Sequence, residues 1–387
     1  MAKNPFTPTF GVSPPLLVGR SDLLDEFAEA LEEGPGSPGR ATLYTGPRGT
    51  GKTVMLNQAG EIAEERGWLV IHETADAGLL DRLAREHLPL LLDKFDPAAT
   101  TTRLRGLTGP MGIGVAWESE DDHDPAPGLR TQLTLLCECL KPQETGVLIT
   151  LDEINRTHVD DLRRLATTIQ HLFREEREVA FVGAGLPSAV SAILNEDVLT
   201  FLARADQHTL GPVATEDVMA ALVEPITAGG RTISGRQAAR AAEATGGYPF
   251  LIQLVGYHIW RQSSDVKVIS AGDVTAGIAQ AERRLGKLVF EPTLKGLSDV
   301  DRTFLVAMAR DDEPSAMSDI AERMGVDSKY ASVYRGRLIE GGVIEPAEQY
   351  GRVRFTNPYL RDYLREHVAY HAQGRTSRRG GRQRRSP

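Results

Sequence analysis

Apolar residues recur along this chain with two different rhythms, and the rhythm changes near residue 215. Before it, short continuous apolar runs alternate with stretches of 3.6-residue periodicity. The runs are Ala41 to Thr45, WLVIHET at 68–74, VLITLDE at 147–153 and EVAFVGAG at 178–185, and a short, more polar strand is read at QHTLG, 207–211. Continuous hydrophobicity, as opposed to alternation, marks strands covered on both faces. Helical stretches are predicted at 21–33, capped by Ser21 or Asp22, and at Val54 to Glu65, Gly78 to about Leu92, 129–141, 158–176 and 187–204. Five strand–helix units in succession predict an α/β fold with a parallel five-stranded sheet and helices on both faces. Residues 97–128 break the pattern with a threonine cluster, GLTGPMGIGVAW and the acidic turn ESEDDHDPAPG. They read as an insertion shaped as a β-hairpin.

From Thr215 the strand signal disappears, and helix-like stretches at 215–228, 235–245, 248–263 and 271–288 predict a small helical lid. Between the second and third stands GGYP (246–249), a glycine turn running into proline at a helix start. By itself it also reads as plain helix punctuation. Residues 294–370 follow another plan. Helices are expected at Ser298 to Arg310, capped by Ser298 or Asp299, at Ser318 to Met324 and at Ser328 to Glu340. Two short strands in VIEPAEQYGRVRFT (343–356) and a closing helix from Pro358 to His367 follow. Three helices and a β-wing predict a winged helix-turn-helix, whose third helix normally enters the major groove of DNA. Candidate contacts are Ser328, Lys329, Ser332, Tyr334, Arg335 and Arg337, with Arg352 and Arg354 on the wing. Winged helices also serve as protein-contact modules, so both readings stand. The expected organisation is a core over 1–213, a lid over 214–290, a winged helix over 291–370 and a disordered arginine-rich tail over 371–387.

Chemistry enters at residues 46–53, GPRGTGKT, a complete G-x-x-x-x-G-K-[ST] loop between a strand-like and a helix-like run. Gly46, Gly49 and Gly51 allow the backbone of Gly46, Pro47, Arg48, Gly49, Thr50 and Gly51 to wrap a phosphate chain with its N–H groups pointing inward. Lys52 would reach the β- and γ-phosphates, and Thr53 would hold Mg²⁺. At the end of the third apolar run, Asp152 is placed to orient the Mg²⁺ shell and Glu153 to polarise the attacking water. The expected ligand is a nucleoside triphosphate with Mg²⁺.

Composition adds limits. A chain of 387 residues has room for two or three domains, each with its own core. No apolar stretch approaches the length of a membrane span and MAKNPFTPTF lacks a signal-peptide core, so the expectation is cytoplasmic, without membrane. Cys137 and Cys139, two apart on a predicted helix, point in different directions and build neither a disulfide framework nor a zinc site. Net charge is −9, but the last fourteen residues, GRTSRRGGRQRRSP, hold six arginines and no acid, which leaves residues 1–373 at −15. The tail reads either as an arm for nucleic-acid phosphates or as a solvated end.

With these pieces placed, the chain resembles AAA+-type P-loop ATPases of the origin-recognition-like group, close to the STAND ATPases and to archaeal replication initiators. The resemblance rests on PLLVGR at 15–20, GPRGTGKT, LITLDE, AFVGAGLP, GGYP and the C-terminal winged helix. It implies ATP as the nucleotide, hydrolysed slowly to ADP and phosphate. It implies adenine contacts from Val18, Gly19 and Arg20 and from Pro249. Two departures stand out. Gly183, Ala184 and Gly185 occupy the place of the usual polar sensor at the end of the fourth strand, with Ser188 the nearest hydroxyl, and the lid helix begins GGYP where a sensor arginine is usual. Arg204, ahead of the fifth strand, is a candidate arginine finger toward a second copy of the chain. It reads equally as a helix C-terminal cation.

Overall fold

The computed structural model describes residues 3–9, 11–14, 16–95, 128–194, 202–263 and 265–367. The expected hairpin insertion, the arginine-rich tail and residues 195–201 of the helix expected at 187–204 lie outside the described residues; 202–204 form a 3₁₀ turn in place of a helix end.

The chain divides into two compact units: residues 20–46 with 51–210, and residues 1–19 with 47–50 and 211–387. In the first, a parallel sheet has the order β2-β3-β4-β1-β5, with β1 Ala41–Thr45, β2 Leu69–Thr74, β3 Val147–Ile154, β4 Val179–Gly185 and β5 Asp206–Thr209. Strand β4 therefore separates the strand that leads into the phosphate loop from the one that carries the two acids. Val147 to Leu151 and all of β4 are buried, as expected for central strands covered on both faces.

The helices of this unit are α1 Ser21–Glu33, α2 Lys52–Glu65, α3 Leu79–Arg82, α4 Leu88–Phe95, α5 Leu129–Leu140, α6 Val159–Arg174 and α7 Pro187–Leu194. Helix α6 shows why they form. Leu162, Leu165, Ala166, Ile169 and Leu172 recur at three- and four-residue spacing on its buried face, with Asp160 and Asp161 in the first turn and His171 and Arg174 in the last. Helix α1 begins at Ser21 after Arg20, so neither proposed side-chain cap is used. The stretch at 78–92 is not one regular helix: a π turn, Leu83–His87, joins α3 to α4 just before Pro89. The proline ring would collide with the carbonyl four residues back, and the widened turn accommodates it. Beneath α1 lies Arg40, 2% exposed, donating to the carbonyls of Ala30 and Leu31 and paired with Glu178. Its guanidinium stands 5.0 Å from the Trp68 ring centre.

The second unit holds α8 Thr215–Ala228, α9 Gly235–Glu243, α10 Pro249–Arg261, α11 Ala271–Leu285, α12 Glu291–Lys295, α13 Asp299–Met308, α14 Met317–Met324, α15 Ser328–Glu340 and α16, residues 359–367. A second π turn, Gly286–Phe290, precedes Pro292 at the offset seen before Pro89. One hydrophobic core runs from Phe6 through Leu222, Leu254 and Phe304 to Leu364. Strands absent from the expectation occur here: β6 Thr232–Ile233 pairs in parallel with β7 Val268–Ile269. Two-residue strands carry no periodicity to detect. The expected wing strands are β9 Ile344–Pro346 and β10 Arg352–Phe355, and a further two-residue strand, β8 Ser315–Ala316, joins them in the order β8-β10-β9. Ser298 caps α13 in a reciprocal box with Asp301, and Asp327 caps α15.

Candidate nucleotide site

The phosphate loop leaves β1 and ends in α2, which starts at Lys52 directly after Gly51. Gly49 and Gly51 take φ of 81° and 92°, the left-handed region in which a side chain is strained. Loop glycines are thus demanded by the backbone path. The Lys52 ammonium donates to the Gly46 carbonyl at 2.8 Å, folded along the loop it would serve.

Thr53 and Asp152 meet. The Thr53 hydroxyl donates to Asp152 Oδ2 at 2.6 Å, and the Glu153 backbone N–H donates to Asp152 Oδ1 at 2.7 Å. Ala75 N–H bonds the Asp152 backbone carbonyl at 2.9 Å, which ties the Asp152 main chain to the residue that follows β2. Glu153 itself is exposed with φ 55°, where the β3–β4 register shifts between Leu151 and Ile154. A non-glycine residue in this conformation costs on the order of 1 kcal/mol or more and concentrates at functional sites. Asn155 braces it by donating to the Glu153 carbonyl at 2.8 Å while accepting from Thr157 N–H. Asn155 was not anticipated from the sequence; an amide two residues past an acidic pair is too common a pattern to single out.

Among the described residues no three histidines, cysteines or acids gather as a metal site. The Thr53 and Asp152 oxygens nevertheless fit Mg²⁺, which characteristically takes one or two protein oxygens and completes its shell with substrate phosphates and water. Neither Cys137 nor Cys139 is in a disulfide, and burial pushes the Cys137 thiol up to about 12, so Cys137 is an inert packing group.

Other candidates are held in the second unit. Its residues Pro47 to Thr50 are the loop tip, where the Thr50 hydroxyl donates to the Pro47 carbonyl at 2.9 Å. Tyr248, 9% exposed, donates its hydroxyl to the Arg48 carbonyl at 2.6 Å. A Cβ at Gly49 would stand 2.0 Å from that oxygen. Burial raises the Tyr248 phenol to about 12, with Asn357 acting in the opposite direction, so it remains a donor throughout the physiological range. Gly19, φ 64°, lies against Val213 and Asp217 at the start of α8, Val18 packs on the unit's core, and Val213 N–H bonds the Gly247 carbonyl. Pro249 is the first residue of α10. Arg20 precedes α1 in the first unit, and Arg204 ends a 3₁₀ turn, Leu202–Arg204, with its side chain exposed ahead of β5.

The glycines at the end of β4 have a packing explanation. A Cβ at Gly183 would approach Ile154 Cδ1 to 2.6 Å and Leu43 Cδ2 to 2.7 Å, and one at Gly185 would approach the Ile154 carbonyl to 2.7 Å. A polar sensor side chain has no room there.

Residues 16–182 match the family described as AAA ATPase domain. This stretch is an AAA ATPase domain. Residues 287–364 match a second family, a domain of unknown function (DUF8462), so the C-terminal module beyond the AAA domain is itself a recurring unit. No protein of curated function matches the chain. Among solved structures, the fold is similar to that of the Walker-type ATPase PABY2304 of Pyrococcus abyssi, at 15% identity over 90% of this chain and 96% of that one, with a TM-score of 0.59. It is also similar to the ORC2 protein of Aeropyrum pernix in its ADPNP–ADP complexes, at 15% identity over 96% and 98% of the two chains, with a TM-score of 0.58. The chain therefore has a P-loop ATPase fold like that of these two archaeal proteins. No helix among its described residues is long and apolar enough to cross a membrane.

Proposed function

We propose that this protein is an ATP-hydrolysing molecular switch of the AAA+/STAND type. One observation carries the reading: Thr53 and Asp152 share a 2.6 Å hydrogen bond while the next residue, Glu153, stands exposed on left-handed backbone. Backbone N–H groups of residues 48–53 and the Lys52 ammonium hold the phosphates. Thr53 and Asp152 would hold Mg²⁺, which would supply positive charge against the transferred phosphoryl group. Glu153 accepts the proton of the attacking water. Adenine as the base is supported by the ADPNP and ADP named with the Aeropyrum pernix protein, with Val18, Gly19, Arg20 and Pro249 as its contacts. Arg204 acts as an arginine finger on a neighbouring copy, which makes turnover slow in the monomer.

In this reading residues 1–213 are the ATPase core, 214–290 the lid and 291–370 a winged helix, supported by the order of α13, α14, α15, β9 and β10. Its output is binding of double-stranded DNA through Lys329 and Arg335 on α15, helped by the arginine-rich tail. Lys329 is exposed, and among the described residues neither it nor Arg335 is in an ion pair.

A second output, contact with a partner protein, is favoured by the other basic groups. Arg337 pairs with the buried Asp301, Arg354 with Glu345, and Arg352 donates to the Pro314 carbonyl. Residues 294–367 carry 11 basic against 13 acidic side chains, whereas phosphate binding calls for a positive face. The deciding experiment is fluorescence anisotropy of a labelled random duplex with protein truncated after Gln373, in ATP and in ADP, across a salt series. Salt-steep binding that differs between nucleotides supports the DNA output. No binding in either state leaves the protein-contact output.

A further inference from the structure

We infer that Tyr248 is a positioning residue for the phosphate loop. The inference rests on the nucleotide reading above and adds to it a residue outside the loop motif. The peptide group is planar and trans, so the carbonyl of Arg48 and the N–H of Gly49 point to opposite sides of one rigid plane. Tyr248 Oη fixes that carbonyl at 2.6 Å from within the buried interior of its unit. The Gly49 N–H is thereby turned away from Tyr248, and the plane cannot flip without breaking the bond. Left-handed φ at Gly49 gives this peptide more freedom than any side-chain-bearing residue would allow, so the restraint acts where the loop is softest.

The tyrosine is delivered by its local sequence. Gly246 and Gly247, φ 50° and 71°, turn the chain out of α9, and Pro249 starts α10, so Tyr248 sits as the N-cap between two fixed points. The close approach is built in on both sides. A Cβ at Gly49 would overlap the Tyr248 hydroxyl, and one at Gly247 would stand 2.3 Å from the Val213 carbonyl. The same turn touches the C-terminal module: Tyr359 Oη donates to the Ala244 carbonyl at 3.0 Å and lies where a Cβ on Gly246 would come within 2.7 Å. The GGYP turn thus places a hydrogen-bond donor on the phosphate loop as well as a proline beyond it.

The test is calorimetric titration of wild-type protein and Tyr248→Phe with AMP, ADP and ATP, alongside the melting temperature of each. Phenylalanine keeps the ring and removes only the donor. ADP and ATP should bind about fivefold more weakly, the effect of one lost hydrogen bond, while AMP, which lacks the phosphates the loop cradles, should bind unchanged. Equal losses for all three nucleotides would make Tyr248 a purely structural residue, and unchanged ADP affinity would remove any role; either result overturns the inference. Wild type that binds no nucleotide would overturn the nucleotide reading itself, and the inference with it. If Tyr248→Phe does not fold, hydrogen exchange on wild type decides. Segment 246–252 should gain protection together with the loop on adding ADP but not AMP, and indifference of that segment to ADP would overturn the inference.

Discussion

The phosphate loop and α15 both carry basic side chains on the surface of a helix or its approach, and the fold treats them in opposite ways. At the loop, Lys52 donates to the Gly46 carbonyl, and Asp152 is engaged by the Thr53 hydroxyl and the Glu153 N–H. These contacts to neutral groups hold both side chains beside the loop on which the proposed ligand would lie. On α15 and its wing, Arg337 and Arg354 already meet carboxylates, and Arg337 also lies 5.6 Å from the Tyr334 ring centre. What α15 leaves exposed is partly apolar: Tyr330 is 43% and Val333 59% exposed. Backbone strain separates the two regions as well. The loop and the Asp152–Glu153 corner need left-handed residues, whereas α15 is regular from its Asp327 cap onward. A charge beside strained backbone marks chemistry more reliably than a charge on a regular helix.

The comparison can be broken most directly at the loop. Lys52→Ala should abolish ATP binding in a calorimetric titration, and wild-type affinity would remove the distinction between the two regions. Arg40→Ala should lower unfolding stability by about 3–5 kcal/mol in chemical denaturation, because it leaves two helix carbonyls and Glu178 without their buried partner. An arginine that is wholly structural would thereby be separated from Lys52 by a second, independent readout. On α15 the effects should be smaller. If the DNA output holds, Lys329→Ala and Arg335→Ala should each reduce the slope of log affinity against log salt by about 1, and Arg354→Ala should leave it unchanged. Asp327→Ala should cost about 1 kcal/mol of stability through loss of the helix cap.

The smallest effect concerns pH. Arg323 holds the Asp311 carboxyl below the usual carboxylate range. A depressed folded-state value stabilises the fold above the unfolded value of about 3.9, and the contribution fades as pH falls through the lower folded value. Asp311→Asn should therefore melt lower than wild type at neutral pH, with the gap closing under acid.

Much of this was legible in the sequence because certain backbone paths accept few residues. GPRGTGKT between a strand and a helix, and an acidic pair closing a buried strand, specify the loop, β1, β3 and the Thr53–Asp152 meeting. Strands β1 to β4 were expected because apolar runs survive in any single sequence, and the short, more polar β5 completed the series. Strands β6, β7 and β8 were not, since two residues carry no period, and the π turns before Pro89 and Pro292 follow from a three-dimensional clash. Tyr248 was passed over in favour of its neighbour Pro249: a tyrosine in a glycine turn has no signature until its hydroxyl is seen on the Arg48 carbonyl, 200 residues away in the chain. The missing sensor at Gly183 was visible, but its cause, the approach of Ile154 and Leu43, was not.

The central claim is that residues 46–53, Asp152 and Glu153 form an ATP-hydrolysing site, and phosphate release by wild type and Glu153→Gln with Mg·ATP tests it most directly. The account predicts slow, Mg²⁺-dependent turnover by wild type and a fall of about 100-fold or more in Glu153→Gln with ATP binding retained, the loss expected of a missing general base. Equal turnover in the two proteins would contradict it.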